Sequence, residues 1–128
     1  MHLRFLIFLA IFCTTTTWAL MRQNPDPMTI ASEFQKRSNY FASRKDREGL
    51  GGMFANKFVY EACDGGKKDW EVYTKVLFDY KGLGKVSTAR ADKRNVIFQV
   101  QYSSHTNEVM IRHTVLGWMY QNAQEMIC

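Results

Sequence analysis

The stretch KVSTARADKRNVIFQVQYSS, residues 85–104, decides the fold class of this 128-residue chain. In its second half, residues 95–103, one strand face carries Val96, Phe98, Val100 and Tyr102, and the other carries Ile97, Gln99 and Gln101. This alternation is typical of a half-buried antiparallel strand. The first half predicts a strand from Lys85 to Asp92. The connection from Asp92 to Asn95 is short enough to join the two strands as a hairpin, so this stretch predicts antiparallel pairing.

Three helices are predicted before this hairpin. Asp26 is a suitable N-cap and Pro27 fits the first helical position. Apolar and small residues then recur at helical spacing, namely Ile30, Ala31, Phe34, Ser38, Phe41 and Ala42. A shorter helix is predicted from Asp46 to about Phe54, weakened by three glycines. The third helix lies within KKDWEVYTKVLFDYKG, residues 67–82, and ends at Gly82.

The remaining strands complete a meander. A short strand is predicted from Lys57 to Cys63, and a long strand from Glu108 to about Tyr120 follows the turn at residues 103–107. Only QNAQEMIC, residues 121–128, then remains. Either this segment forms a short last strand, or the last strand is missing and one sheet edge stays exposed. Helices followed by an antiparallel meander indicate an α+β domain with helices on one sheet face.

The N-terminal segment predicts the compartment. Arg4 precedes an apolar run from Phe5 to Cys13, and small residues continue to Ala19. This pattern is typical of a secretory signal peptide, and the run is shorter than the roughly 20 residues that span a bilayer. We expect a signal peptide at residues 1–19, an N-terminal extension at 20–28 and one domain at 29–128. The protein is therefore expected to be secreted and extracellular.

Removal of the signal peptide leaves Cys63 and Cys128 as the two thiols of the chain. Two thiols in an oxidising compartment usually pair, which predicts a Cys63–Cys128 disulfide. A buried or free Cys63 is the alternative. A catalytic thiol is disfavoured because no base is identified, and a zinc site because two Cys and three His stand at unrelated spacings. We expect neither a metal nor a cofactor.

The order of these elements resembles the nuclear transport factor 2-like superfamily, a cystatin-like α+β cone, and in particular its small secreted members. Four segments carry the resemblance, NKFVYEACDGG (56–66), KKDWEVYTKVLFDY (67–80), KVSTARADKRNVIFQVQYSS (85–104) and NEVMIRHTVLGW (107–118). It spans roughly Thr29 to Trp118. The resemblance implies a strongly curved antiparallel sheet around the N-terminal helices, with an interior that holds a small apolar molecule. Family members usually end in a further full-length strand, which is short or missing in this sequence.

The resemblance implies either a binding module or a cofactor-independent isomerase or lyase. His113 is the candidate base, since it shares a strand face with Ile111 and Val115. The plainer interpretation is a satisfied or half-exposed strand histidine, because no carboxylate partner is identified. The predicted ligand pocket consists of Trp70, Tyr73, Phe98, Val100 and His113, although Trp and Tyr side chains on a helix, such as Trp70 and Tyr73, are more often core residues. We expect a non-catalytic domain that binds a small apolar ligand or a protein partner, with an enzyme using His113 as the alternative.

The residues predicted on the surface indicate which classes of partner to expect. Met110, Leu116 and Trp118 are predicted on the outer sheet face, where they would form a homodimer interface. The formal net charge is +5, but the basic residues occur in small clusters without a nucleic-acid-binding motif. The clusters fit a solvated surface. We expect no nucleic-acid partner, and no membrane contact after signal cleavage.

Overall fold

The computed structural model describes residues 26–128, so the predicted signal peptide and most of the predicted extension lie outside the described residues. Two helices, two strands and a third helix come first, and four strands complete the chain. In order they are α1 (Pro27–Ser43), α2 (Arg47–Gly51), β1 (Phe54–Glu61), β2 (Lys67–Lys68), α3 (Trp70–Asp79), β3 (Lys85–Asp92), β4 (Asn95–Gln101), β5 (Thr106–Thr114) and β6 (Gly117–Met126). The predicted α+β class is confirmed.

Local sequence signals fix where the helices begin. Pro27 opens α1 directly after the N-cap residue Asp26. The Asp46 carboxylate accepts a hydrogen bond from the Gly49 amide at 2.9 Å, and the Asp69 carboxylate accepts one from the Val72 amide at 3.1 Å. These side chains satisfy amides that have no partner inside the helix.

Two helix ends differ from the prediction. The short helix ends at Gly51 rather than near Phe54, because its glycines favour helix poorly and β1 begins at Phe54. The third helix ends at Asp79, three residues before the predicted stop. Gly82 nevertheless adopts a positive φ of 70°, which a glycine accepts without strain.

The strands form a six-stranded sheet in the order β2-β1-β6-β5-β4-β3. The β3–β4 hairpin turns where predicted, with Asp92 paired to Asn95, but β4 ends at Gln101, two residues before the predicted end. Strands β4, β5 and β6 continue the antiparallel meander. Strands β1 and β6 pair in parallel, so the sheet is mixed where the prediction was antiparallel throughout. The sheet is curved and open, and α1 packs against β3 and β4.

The prediction of one long strand from Glu108 to Tyr120 is wrong. A turn separates β5 from β6, and the Thr114 hydroxyl both accepts from the Leu116 amide at 3.1 Å and donates to the Gly117 carbonyl at 2.9 Å. The last strand is therefore ten residues long, neither short nor missing. The apolar residues Val115 and Leu116 extend the alternating pattern through the turn and conceal it.

Aromatic side chains fill the space between the helices and the sheet. Tyr120 is the centre of this cluster, with ring centroids 4.6 Å from Phe34 and 4.6 Å from Phe54. Tyr73 lies 5.4 Å from Phe58. The hydroxyls of Tyr120 and Ser38 are 2.8 Å apart inside this core, so α1 and β6 also share a buried hydrogen bond.

The predicted disulfide is present between Cys63 and Cys128, whose Cα atoms are 5.4 Å apart. Cys63 follows β1 and Cys128 follows β6, so the bridge continues the parallel β1–β6 pair beyond its last backbone contacts. It closes a loop with a sequence separation of 65 residues. On the chain-entropy model such a loop closure is worth about 4 kcal/mol. Within residues 26–128, no helix is long and apolar enough to cross a membrane.

Candidate ligand-binding site

An open groove of about 840 Å³ lies between one edge of α1 and the beginning of β6. Its apolar lining comes from Ile30, Phe34, Tyr40, Phe41 and Trp118, and we name it the apolar groove. The α1 residues recur at helical spacing and therefore stand along one edge of the helix. Phe34 is 5% exposed and also packs against the core, whereas Tyr40 is 53% exposed at the outer end. The groove is thus an unfilled continuation of the aromatic core towards solvent.

Charged side chains of both signs stand at the rim of the apolar groove. Glu33, Lys36 and Arg37 are exposed on α1 and line its edge. At the outer end, the Arg44 guanidinium lies 3.9 Å from the centroid of the Tyr40 ring. A cation over an aromatic face is favourable and limits the motion of this ring. The rim is polar while the floor is apolar, which is the usual construction of a small-molecule site.

A second concavity of about 620 Å³ lies beside the first, at the tips of the β3–β4 and β5–β6 hairpins. It is lined by Lys93, Arg94, His113, Thr114, Val115 and Trp118, and we name it the basic hollow. The His113 amide donates to the Arg94 carbonyl at 3.3 Å, so the two hairpin tips are joined. Its lining contains cations and an imidazole but no carboxylate. Trp118 lines both concavities, with its ring 5.2 Å from that of His113.

The structure places the five predicted pocket residues in two different surroundings. Tyr73, Phe98 and Val100 are at most 1% exposed within the core, and Trp70 is half-buried beside Phe54, 6.1 Å away. His113 is exposed at the end of β5 and faces Trp118. It is therefore not brought together with the other four. A ligand among the interior residues stays a prediction.

The expected neighbours of His113 also differ from their predicted places. Val115, predicted on the same strand face, lies in the turn and is fully exposed. Trp118, predicted on the outer sheet face with Met110 and Leu116, instead lines the groove against α1. Leu116 lies in the same turn as Val115 and is 81% exposed. The turn removes both residues from the sheet, because residues beyond Thr114 no longer follow the strand periodicity. A dimer through the outer sheet face stays a prediction.

Within residues 26–128, the imidazole that does have a carboxylate partner is His105. Its Nδ1 lies 3.1 Å from a carboxylate oxygen of Glu125, whose side chain is 16% exposed. The other Glu125 oxygen accepts from the Cys63 amide at 3.1 Å and from the Tyr60 hydroxyl at 3.5 Å. Burial and then the Glu125 charge raise the pKa of Tyr60, and the same two causes raise the pKa of Tyr80 to about 12.

Sequence reasoning missed this pair for a definite reason. Glu125 reaches His105 only because β5 and β6 form a hairpin in which Asn107 pairs with Glu125. The predicted continuous strand to Tyr120 excludes that pairing. A local signal was nevertheless present, since Gly117 is the turn-forming residue between the two halves and adopts a φ of 100°.

The core also contains side-chain oxygen atoms without a hydrogen-bond partner among the described residues. The oxygens concerned are Gln35 Oε1, Thr74 Oγ1 and Asn107 Oδ1. The amide nitrogens of two of these side chains donate to phenols, Asn107 to the Tyr73 hydroxyl at 3.3 Å and Gln35 to the Tyr102 hydroxyl at 3.4 Å. Burial raises the pKa of both tyrosines well above its usual value. Residues 26–128 contain no group of three or more His, Cys, Asp or Glu side chains placed so that they could hold a metal ion.

Comparison with known proteins defines the fold. No protein-family model matches the sequence. No curated protein matches it either. Solved structures do match, among them a nuclear transport factor 2-like protein of unknown function from Silicibacter pomeroyi, with a TM-score of 0.57 at 13% identity over 77% of this chain and 95% of the other.

Two further structures agree. A nuclear transport factor 2-like protein from Cytophaga hutchinsonii has a TM-score of 0.55 at 10% identity over 75% of this chain and 93% of its own. A domain of unknown function with a cystatin-like fold from Nostoc punctiforme has a TM-score of 0.55 at 12% identity over 74% and 73%. Identities this low establish the fold without the activity. This chain therefore has the nuclear transport factor 2-like, or cystatin-like, fold.

Proposed function

We propose that this protein is a secreted, non-catalytic domain that binds a small apolar ligand in the apolar groove. The observation that carries the proposal is the aromatic floor between α1 and β6, where Phe41 and Trp118 continue the core but are only partly covered. Burial of such side chains by a ligand is favourable at about 25 cal/mol per Å² of apolar area. The volume of about 840 Å³ falls within the range of about 300–1,000 Å³ that is typical of small-molecule sites.

The depth of the groove favours a small molecule over a protein partner. Phe34 at its floor is 5% exposed, while Tyr40 and Arg37 stand at its rim. A flat protein surface would rest on the rim and leave the floor uncovered. A stable protein interface also needs about 800 Å² from each partner, more than one short groove offers. A small apolar molecule can reach the floor and displace water from it.

The enzyme alternative has weaker support. A general base needs a position within hydrogen-bond reach of its substrate, and it gains from a group that orients it. The exposed His113 has Trp118 beside it, and no ion pair or hydrogen bond of its side chain is found within residues 26–128. Secretion, in turn, is supported by the Cys63–Cys128 disulfide, because such bonds persist in oxidising compartments.

Titration with the neutral fluorescent probe N-phenyl-1-naphthylamine tests the groove. We expect saturable binding at about one site per chain. Ile30→Glu should weaken it at least about ten-fold, because a carboxylate in the apolar lining must be desolvated when the probe binds. Val72→Glu is the matched control, since Val72 is a β-branched, partly exposed residue near the start of α3, outside the groove lining.

Two results would reject the proposal. The first is no saturable binding by the wild-type protein. The second is an equal loss of affinity in both variants, which would place the probe elsewhere or show a general loss of structure. Circular dichroism of the variants separates these cases. If the wild-type chain binds no probe and sediments as a dimer that Ile30→Glu dissociates, the groove is covered by a second copy.

A further inference from the structure

The apolar groove and the basic hollow together define the class of ligand. We infer that the ligand is a monomeric amphiphile with one anionic oxygen group, held with its apolar part in the groove and its anionic group in the basic hollow. This inference rests on the proposed function, since it assigns the polarity of the ligand that the groove binds.

Continuity of the two concavities is the first argument. Trp118 contributes to both linings, and its neighbours at the β5–β6 turn divide between them, with Gly117 in the groove and Val115 in the hollow. Gly117 has no side chain, and apart from residues 116–118 themselves no heavy atom lies within 4 Å of the place where its Cβ would stand. No side chain of residue 117 therefore separates the groove from the hollow at this point. A single elongated molecule can pass from one to the other along the Trp118 ring.

Charge is the second argument. Lys93 and Arg94 are exposed in the β3–β4 turn, and neither forms an ion pair within residues 26–128. Asp92, the nearest acid in sequence, is exposed at the end of β3 and does not line the hollow. The hollow thus combines two unpaired cations with the His113 ring, which can donate a hydrogen bond. An anionic oxygen group is the chemistry that this set of donors binds best.

The groove rim alone does not select an anion. Lys36 and Arg37 stand there together with Glu33, so charges of both signs border the groove. The hollow contains no such carboxylate. Selection between an anionic amphiphile and a neutral one must therefore come from Lys93 and Arg94, while the groove supplies affinity that both ligands share.

A pair of matched probes tests the inference, namely 12-(1-pyrenyl)dodecanoate and the corresponding alcohol, both below their aggregation concentration. At low salt the carboxylate should bind about ten-fold more tightly than the alcohol. The double variant K93Q/R94Q should bind the two probes equally, because it loses the cations that favour the carboxylate. The control K67Q/K68Q removes the same charge from β2, at the opposite edge of the sheet, and should keep the preference. Raising the salt concentration should reduce the preference in the wild-type protein.

Failures of the two proposals give different results. Equal affinity of the wild-type protein for both probes overturns the inference and leaves the groove proposal standing. Absence of binding by either probe overturns both. A carboxylate preference that persists in K93Q/R94Q overturns the inference, because the anion-binding group is then elsewhere. Co-sedimentation with phosphatidylserine vesicles that is lost in K93Q/R94Q, without a carboxylate preference in solution, would assign these cations to a membrane surface and also overturn it.

Discussion

The buried hydrogen bond between Ser38 and Tyr120 offers a quantitative test of how α1 is held in the sheet. The two hydroxyls are 2.8 Å apart, and the residues are 1% and 0% exposed. Ser38→Ala removes one hydroxyl and leaves the Tyr120 hydroxyl buried without its partner. Phe34 and Phe54 enclose the Tyr120 ring, so the phenol cannot move to water. An unsatisfied buried hydroxyl costs about 1–3 kcal/mol.

Helix propensity opposes this loss, and a matched variant measures it. Alanine favours helix over serine by about 0.5 kcal/mol, so the net effect of Ser38→Ala is a decrease of about 0.5–2.5 kcal/mol in the free energy of unfolding. Ser32→Ala lies on the exposed face of the same helix and should raise stability by up to about 0.5 kcal/mol. The difference between the two alanine variants therefore reports the hydrogen bond.

Thr74→Val provides the opposite case. The Thr74 hydroxyl is buried and has no partner within residues 26–128, and valine has nearly the same shape. Its removal should change the free energy of unfolding by less than about 0.5 kcal/mol or increase it. Urea unfolding followed by circular dichroism measures all three variants. A Ser38→Ala variant as stable as Ser32→Ala, together with a Thr74→Val variant destabilised by more than about 1 kcal/mol, would refute this assignment of the buried polar groups.

Three further predictions concern the bridge, the phenols and the N-terminus. Reduction of the Cys63–Cys128 disulfide should lower the free energy of unfolding by about 4 kcal/mol, and an unchanged urea midpoint after reduction would contradict this value. Stability should fall above pH 10, by about 1.4 kcal/mol per pH unit for each phenol that ionises only on unfolding, because raised folded-state pKa values keep these phenols protonated in the native protein. The phenols concerned are those of Tyr60, Tyr73, Tyr80, Tyr102 and Tyr120. Urea midpoints between pH 8 and 11 measure this loss of stability, and a midpoint that does not change with pH would argue against it. Secreted protein should begin at or near Leu20 by N-terminal sequencing, and a product that retains Arg4 would show that the signal peptide is not cleaved.

Local signals explain why much of the fold was predictable. The β3–β4 hairpin was placed correctly because Val96, Phe98 and Val100 recur at every other position and a polar four-residue connection precedes them. The start of α3 was predictable from the acidic side chains of Asp69 and Glu71 at its N-terminus. In both places the local preference and the final structure agree.

The parts that were missed depend on contacts between distant segments. Val115 and Leu116 are apolar in a turn, so the periodicity gave no sign of the break between β5 and β6. Gln35 is polar yet 3% exposed, because α1 is covered by the sheet on that side. The apolar groove joins α1 to the first residues of β6, and the position of β6 was unknown once the turn was missed. The candidate site could therefore not be predicted residue by residue.

The most direct test of the central claim is a crystal structure of the protein with N-phenyl-1-naphthylamine bound. The account predicts one probe molecule between α1 and β6, in contact with Phe41 and Trp118 and with the core side chains unmoved. A probe found instead in the interior, among Tyr73, Phe98 and Val100, would contradict the assignment of the groove and support the pocket predicted from the sequence.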